Sequence, residues 1–129
     1  MAGRYTGRLT NSDVLKLLRK KRYVVDLAAG IVLNRNSNPV AVVERESHSA
    51  TYQFVELYDG EKRRKISVAS LVWMAGTNHT VPRKFVVHHR DFDTLNNAFD
   101  NLYCLHDVDH RKLHNSEDLV DYRDDEVPF

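Results

Sequence analysis

One cysteine, Cys104, is all the chain has. That excludes an internal disulfide and any zinc knuckle built from thiolates, so a metal held here must be held by nitrogen and oxygen. Long apolar runs are also missing. None approaches the roughly 18 residues a membrane helix needs, and the opening "MAGRYTGRLTNSD" lacks the apolar stretch of a signal peptide. A cytoplasmic protein with no membrane partner is expected. There is no internal repeat, and a composition of 42% hydrophobic and 29% charged residues excludes global disorder. At 129 residues the chain can build one hydrophobic core but not two independent ones.

Surplus charge is lacking too, but only on average. The net charge of +1 conceals a polarity: residues 1–116 carry 18 Lys and Arg against 12 Asp and Glu, and the tail 117–129 carries six acids against one arginine. A basic body suits a polyanion such as nucleic acid. An acidic end is either solvated or competes for that surface.

What is present divides the sequence into four stretches. In residues 1–22, "NSDVLKLLRKKRY" opens on Asn11, Ser12 and Asp13 and continues with Val14, Leu15, Leu17 and Leu18. That pattern predicts an amphipathic helix over residues 13–22 with its cationic end at the C-terminus. In residues 23–80, runs rich in valine, isoleucine and tyrosine alternate with "NSNP" and "YDGEK", which predicts one antiparallel meander. "SVASLVWMAG" follows as a short buried helix, with Trp73 in the core and Gly76 as its stop. "TNHTVPRK" is a loop.

Residues 81–116 hold five of the seven histidines, in "VVHHRDFDTLNNAFDNLYCLHDVDHRKLH". "KFVVHH" alternates like a strand and "NLYCL" like a second, joined by a loop rich in Asp, Asn and Thr; Asp107 then caps a helix. His110 and His114 would share one face of that helix, one turn apart. Two imidazoles at that spacing plus a third donor from a neighbouring strand make a metal site with an open position. Successive strand residues point to opposite faces, so only one of His88 and His89 would face the ion. The other could serve as a base activating water against a phosphodiester.

This segment resembles the ββα-metal finger of HNH endonucleases, with the phage and intron homing type nearest, and upstream likeness extends it over residues 23–114. The resemblance implies an α+β fold in which an antiparallel sheet with short helices is followed by the finger. It assigns His88 and His110 as metal ligands, His89 as general base and Asn101 as the asparagine that holds the loop and orients His89. His114 matches a further ligand of the colicin-type nucleases. One divalent ion, zinc, magnesium, manganese or nickel, is the implied cofactor, DNA the implied partner, and a homodimer possible in principle since one finger carries one active site. For a phage protein the compartment would be the host cytoplasm. Two departures stand out: Phe92 where the family has glycine, and "VASLV" where it often has histidine and arginine. Two other functions fit the same residues, a metal-stabilised clamp that binds DNA without cutting it and a non-specific nuclease acting on RNA or DNA.

Arg63, Arg64, Lys65, Arg83, Lys84, Arg90, Arg111 and Lys112 flank the histidines in sequence and are candidates for backbone phosphate contacts. Asp91 and Asp93 read as loop caps, and Asn96 and Asn97 as turn residues. His48, His79 and His106 read as ordinary hydrogen-bonding histidines, and Cys104 as buried and inert.

Overall fold

The structure is a computed structural model that describes residues 7–47 and 50–107. The helix expected after Asp107, with His110, Arg111, Lys112 and His114, the acidic tail, and His48 lie outside the described residues. No helix among those described is long and apolar enough to cross a membrane.

Helix α1 spans Asn11–Arg19, two residues earlier at its start than expected and three at its end. The cap is Thr10. Its hydroxyl accepts from the Asp13 amide at 3.1 Å, while the Asp13 carboxylate accepts from the Thr10 amide at 2.9 Å, closing a capping box. Those hydrogen bonds hold the Asp13 carboxyl below its ordinary range. Val14, Leu15 and Leu17 turn inward.

The single meander expected over residues 23–67 is two separate sheets. Strands β1 (Tyr23–Asp26) and β2 (Ile31–Asn34) form a hairpin, and β3 (Val43–Ser47), β4 (Ala50–Tyr58) and β5 (Arg63–Ser67) form an antiparallel sheet of their own. Between them the backbone turns at Ser37, which has a φ of 64°, and the Asn34 side chain accepts from Asn36 and Asn38. The chain then returns along β2, with Asn34 N–H donating to the Asn38 carbonyl, Val40 N–H to the Val32 carbonyl and a bridge between Leu33 and Pro39, and that pairing ends before β3 begins.

Helix α2 (Val68–Thr77) is capped by the Ser67 hydroxyl and lies at the centre of the fold, against both sheets, α1 and the last hairpin. Val68, Leu71, Val72, Trp73 and Met74 are buried in it. Gly76 does not end the helix. Asn78, with a φ of 54°, is the left-handed cap. A Cβ on Gly76 would stand 2.3 Å from the Phe99 ring, so glycine is there to let that ring lie on the helix.

Strands β6 (Phe85–His89) and β7 (Leu102–His106) form the third sheet, an antiparallel pair in which His88 is opposite Tyr103 and His89 opposite Leu102. The pleat sends Phe85, Val87 and His89 toward the α2 side, where Val87 and Phe85 pack on the main core with Leu102 and Cys104. His88 shares the other face with Tyr103. Burial pushes the Cys104 thiol up to about 12. In the native protein Cys104 should therefore resist alkylation at pH 8 and become reactive only on denaturation; rapid labelling of folded protein would show that this face of the hairpin is open.

Candidate functional site

The site forms where β6 runs into the loop 90–101. His88 and His89 are buried, 3% and 5% exposed. The His88 ring is met edge-on by Phe92, centroids 4.8 Å apart, and by Tyr103 at 5.2 Å. His89 Nε2 lies 2.8 Å from Asn97 Oδ1.

The loop is built around Asp91 and Asn101. Arg90 N–H donates to the Asn101 carbonyl at 2.7 Å, and Asp91 N–H to the Asn101 side-chain oxygen at 3.2 Å. The Asn101 amide donates to Asp91 Oδ1 at 2.9 Å and to the Asn96 carbonyl at 2.8 Å. Asp91 also accepts from the Asn96 side chain and the Asp93 amide, and Asp93 accepts from the Leu95 amide. Donation from Asn96, then from the Asp93 amide, lowers the Asp91 carboxyl below its ordinary value. The loop gains that stabilisation above the ordinary carboxylate range and loses it as pH falls through the lowered folded value.

The hydrogen bonds of Asn101 thus tie the loop to itself and do not reach His89. The contact with that ring belongs to Asn97, which had read as a turn residue and is only 3% exposed. Its amide donates to Gln53 Oε1 on β4 at 2.9 Å. The Thr94 hydroxyl donates to the Thr51 carbonyl on the same strand, so β4 holds the loop at two points. The β1–β2 turn approaches from the other side, with Phe99 N–H donating to the Leu27 carbonyl at 2.8 Å. No local signal separates Asn97 from an ordinary turn residue, because the Gln53 that fixes its amide is on a strand far upstream.

Among the described residues the basic candidates line more than one surface. Strand alternation splits "RRK" of β5: Arg64 turns to the side of buried Ile66, and Arg63 and Lys65 to the other. A cleft of about 670 Å³ is lined by His88, His89, Arg64, Arg83, Lys84 and Tyr52, with Ser67 and Ser70 at the start of α2. Arg64 donates to the Asn11 side chain, a neutral group, and no carboxylate pairs with it among the described residues. Desolvation, with Arg8 nearby, lowers its pKa. Arg63 instead pairs with Glu56 at 3.4 Å, and the Arg90 guanidinium lies over the Tyr103 ring at 4.8 Å. Lys65 is exposed.

Among the described residues no three His, Cys, Asp or Glu side chains are grouped as a metal would need. His88 is a suitable first donor, a buried imidazole at the end of a strand. The other proposed ligands, His110 and His114, lie outside the described residues.

No protein-family profile matches the chain, and no curated protein matches it. One similar solved structure is that of the HNH homing endonuclease I-HmuI in a study of its DNA binding and cleavage. The identity is 22% and the TM-score 0.52, over 70% of this chain and 50% of that one. The chain thus spans half the length of that protein. At this identity the likeness is one of fold: an α+β arrangement of small antiparallel sheets and two helices, similar to that of an HNH nuclease.

Proposed function

We propose that this chain is a metal-dependent endonuclease of the HNH type, hydrolysing phosphodiester bonds in DNA. The observation that carries the reading is the cleft, whose lining two buried histidines share with Arg64, Arg83 and Lys84. Nucleophile activation and phosphate binding need those groups side by side. His89 takes the proton from the attacking water. Asn101 keeps the loop closed around it. Arg64, half-buried and with no carboxylate partner among the described residues, holds a backbone phosphate more firmly than a solvated lysine would, since its charge is already partly desolvated and its planar fork matches the phosphate oxygens. Arg83 and Lys84 hold the flanking backbone, with Arg63, Lys65 and Arg90 as outer contacts, and Arg111 and Lys112, next to His110 in sequence, as further candidates outside the described residues.

A divalent ion would be held by His88 together with His110 and His114, and when bound it supplies neutralising charge at the scissile phosphate. Three imidazoles favour zinc or nickel, while manganese or magnesium would draw on water and phosphate oxygens for the remaining positions. Supercoiled plasmid incubated with the pure protein should be relaxed in the presence of one of these ions and left intact with chelator. Relaxed circles would indicate nicking, and linear product paired cuts by two copies. Intact plasmid with every ion would overturn the reading and leave a DNA clamp.

A further inference from the structure

A histidine can act as a base only through the ring nitrogen that lacks a proton, and this chain determines which nitrogen that is. We infer that Gln53 is a positioning residue that, through Asn97, keeps the proton of neutral His89 on Nε2 and leaves Nδ1 free to accept; this rests on the reading of His89 as the base.

Glu44 and Gln53 are directly opposite in the β3–β4 pairing, so their side chains share a face. A carboxylate accepts and cannot donate, so Gln53 turns its amide nitrogen toward Glu44, with Nε2 donating at 3.4 Å. Its Oε1 then faces the loop and accepts from Asn97 Nδ2 at 2.9 Å. Asn97, having spent its donor there, presents Oδ1 to the imidazole at 2.8 Å. An oxygen acceptor at that distance requires the hydrogen on Nε2, and the ring's lone pair is then on Nδ1. If any one amide were reversed, the next would reverse too, and Asn97 would offer N–H to a nitrogen that must then accept. The proton would move to Nδ1 and the base would be lost. Both His89 and Asn97 are buried, so water is poorly placed to take over either bond. The Thr94 hydroxyl on the Thr51 carbonyl keeps the loop backbone at β4, so the relay cannot open by a simple shift of the loop.

Two substitutions of similar size separate this role from mere packing. Gln53→Glu retains an acceptor toward Asn97, whereas Gln53→Lys offers only donors and forces the Asn97 amide to turn over. Two-bond proton–nitrogen correlations on the full chain with ¹⁵N-labelled histidine report which nitrogen of neutral His89 carries hydrogen. Wild type and Gln53→Glu should show it on Nε2, and Gln53→Lys on Nδ1. Single-turnover plasmid cleavage should fall by roughly 10²-fold in Gln53→Lys, near the lower end of what a general base contributes, and by clearly less in Gln53→Glu, whose carboxylate repels Glu44 but still accepts from Asn97. A proton on Nδ1 in the wild type overturns the inference with no variant needed. So does an unchanged tautomer in Gln53→Lys, or equal disturbance by both variants. Cleavage at the wild-type rate by a His89→Ala protein would instead overturn the assignment of the base and leave the tautomer result standing.

Discussion

His89→Ala should abolish plasmid cleavage while the protein still folds, binds metal and retains DNA. The expected loss is about 10² to 10⁴ in rate, the usual contribution of a positioned general base. Affinity should hardly change if, as proposed, phosphate is held by Arg64, Arg83 and Lys84, which line the same cleft from β5 and the segment before β6. Removing the ring also releases Asn97, whose Oδ1 loses its partner in a buried position. A modest drop in stability is therefore expected alongside the kinetic loss, and the two are separable by comparing thermal unfolding with cleavage at a temperature where the variant is fully folded. Wild-type cleavage by this variant would mean that the base is elsewhere.

The largest effect on stability is expected far from the histidines in sequence, at Gly30. This residue closes the β1–β2 turn with a φ of +68°, and a Cβ there would stand 2.3 Å from the Asn97 carbonyl carbon and 2.7 Å from the Ala98 nitrogen. Both obstacles are backbone and cannot swing aside. Gly30→Ala combines a left-handed strain of about 1–2 kcal/mol with an overpacking cost of about 1–3 kcal/mol. Unfolding should come roughly 10–20 °C lower. Gly60→Ala is the control, with a φ of +102° and nothing within 4 Å of its Cβ, so it bears the conformational cost alone. Equal destabilisation by the two would show that contact between the turn and the loop is unimportant.

Much of this architecture is legible in the order of residues, and the failures have physical causes. Strands β6 and β7 announce themselves by alternation in "FVVHH" and "LYCLH", and the loop between them by its Asp and Asn residues. The adjacent histidines are equally visible. Asn97 is not, since an asparagine in a polar loop looks the same whether its amide meets water or a glutamine on a strand contributed from 44 positions away. Gly76 misleads for a similar reason: a glycine near the end of an apolar run is the ordinary sign of a helix stop, and here it makes room for the Phe99 ring, which only tertiary packing brings close. Arg63, Arg64 and Lys65 stand together in the sequence as candidates for one kind of contact, whereas the pleat of β5 distributes them between two faces. The turn at "NSNP" is legible and forms around Ser37, but how briefly the returning segment pairs with β2, as far as Val40, before β3 starts a separate sheet is decided by packing and not by local pattern.

The pairing of β6 with β7 has a consequence for how this protein could change. His88 and His89 are the same side chain in neighbouring positions, and nothing in their own chemistry distinguishes them; the register, with His88 opposite Tyr103 and His89 opposite Leu102, is what hands one ring to the aromatic face and the other to Asn97. A deletion or insertion of one residue in β6 would carry each histidine across the ribbon and exchange their surroundings while leaving both in the gene. Point substitutions can be compensated one at a time, but a frame error in five residues of strand cannot. Divergence in this protein should therefore proceed by replacing side chains along β6 and by lengthening or shortening the loop beyond Arg90, never by altering the count of residues that leads up to the pair.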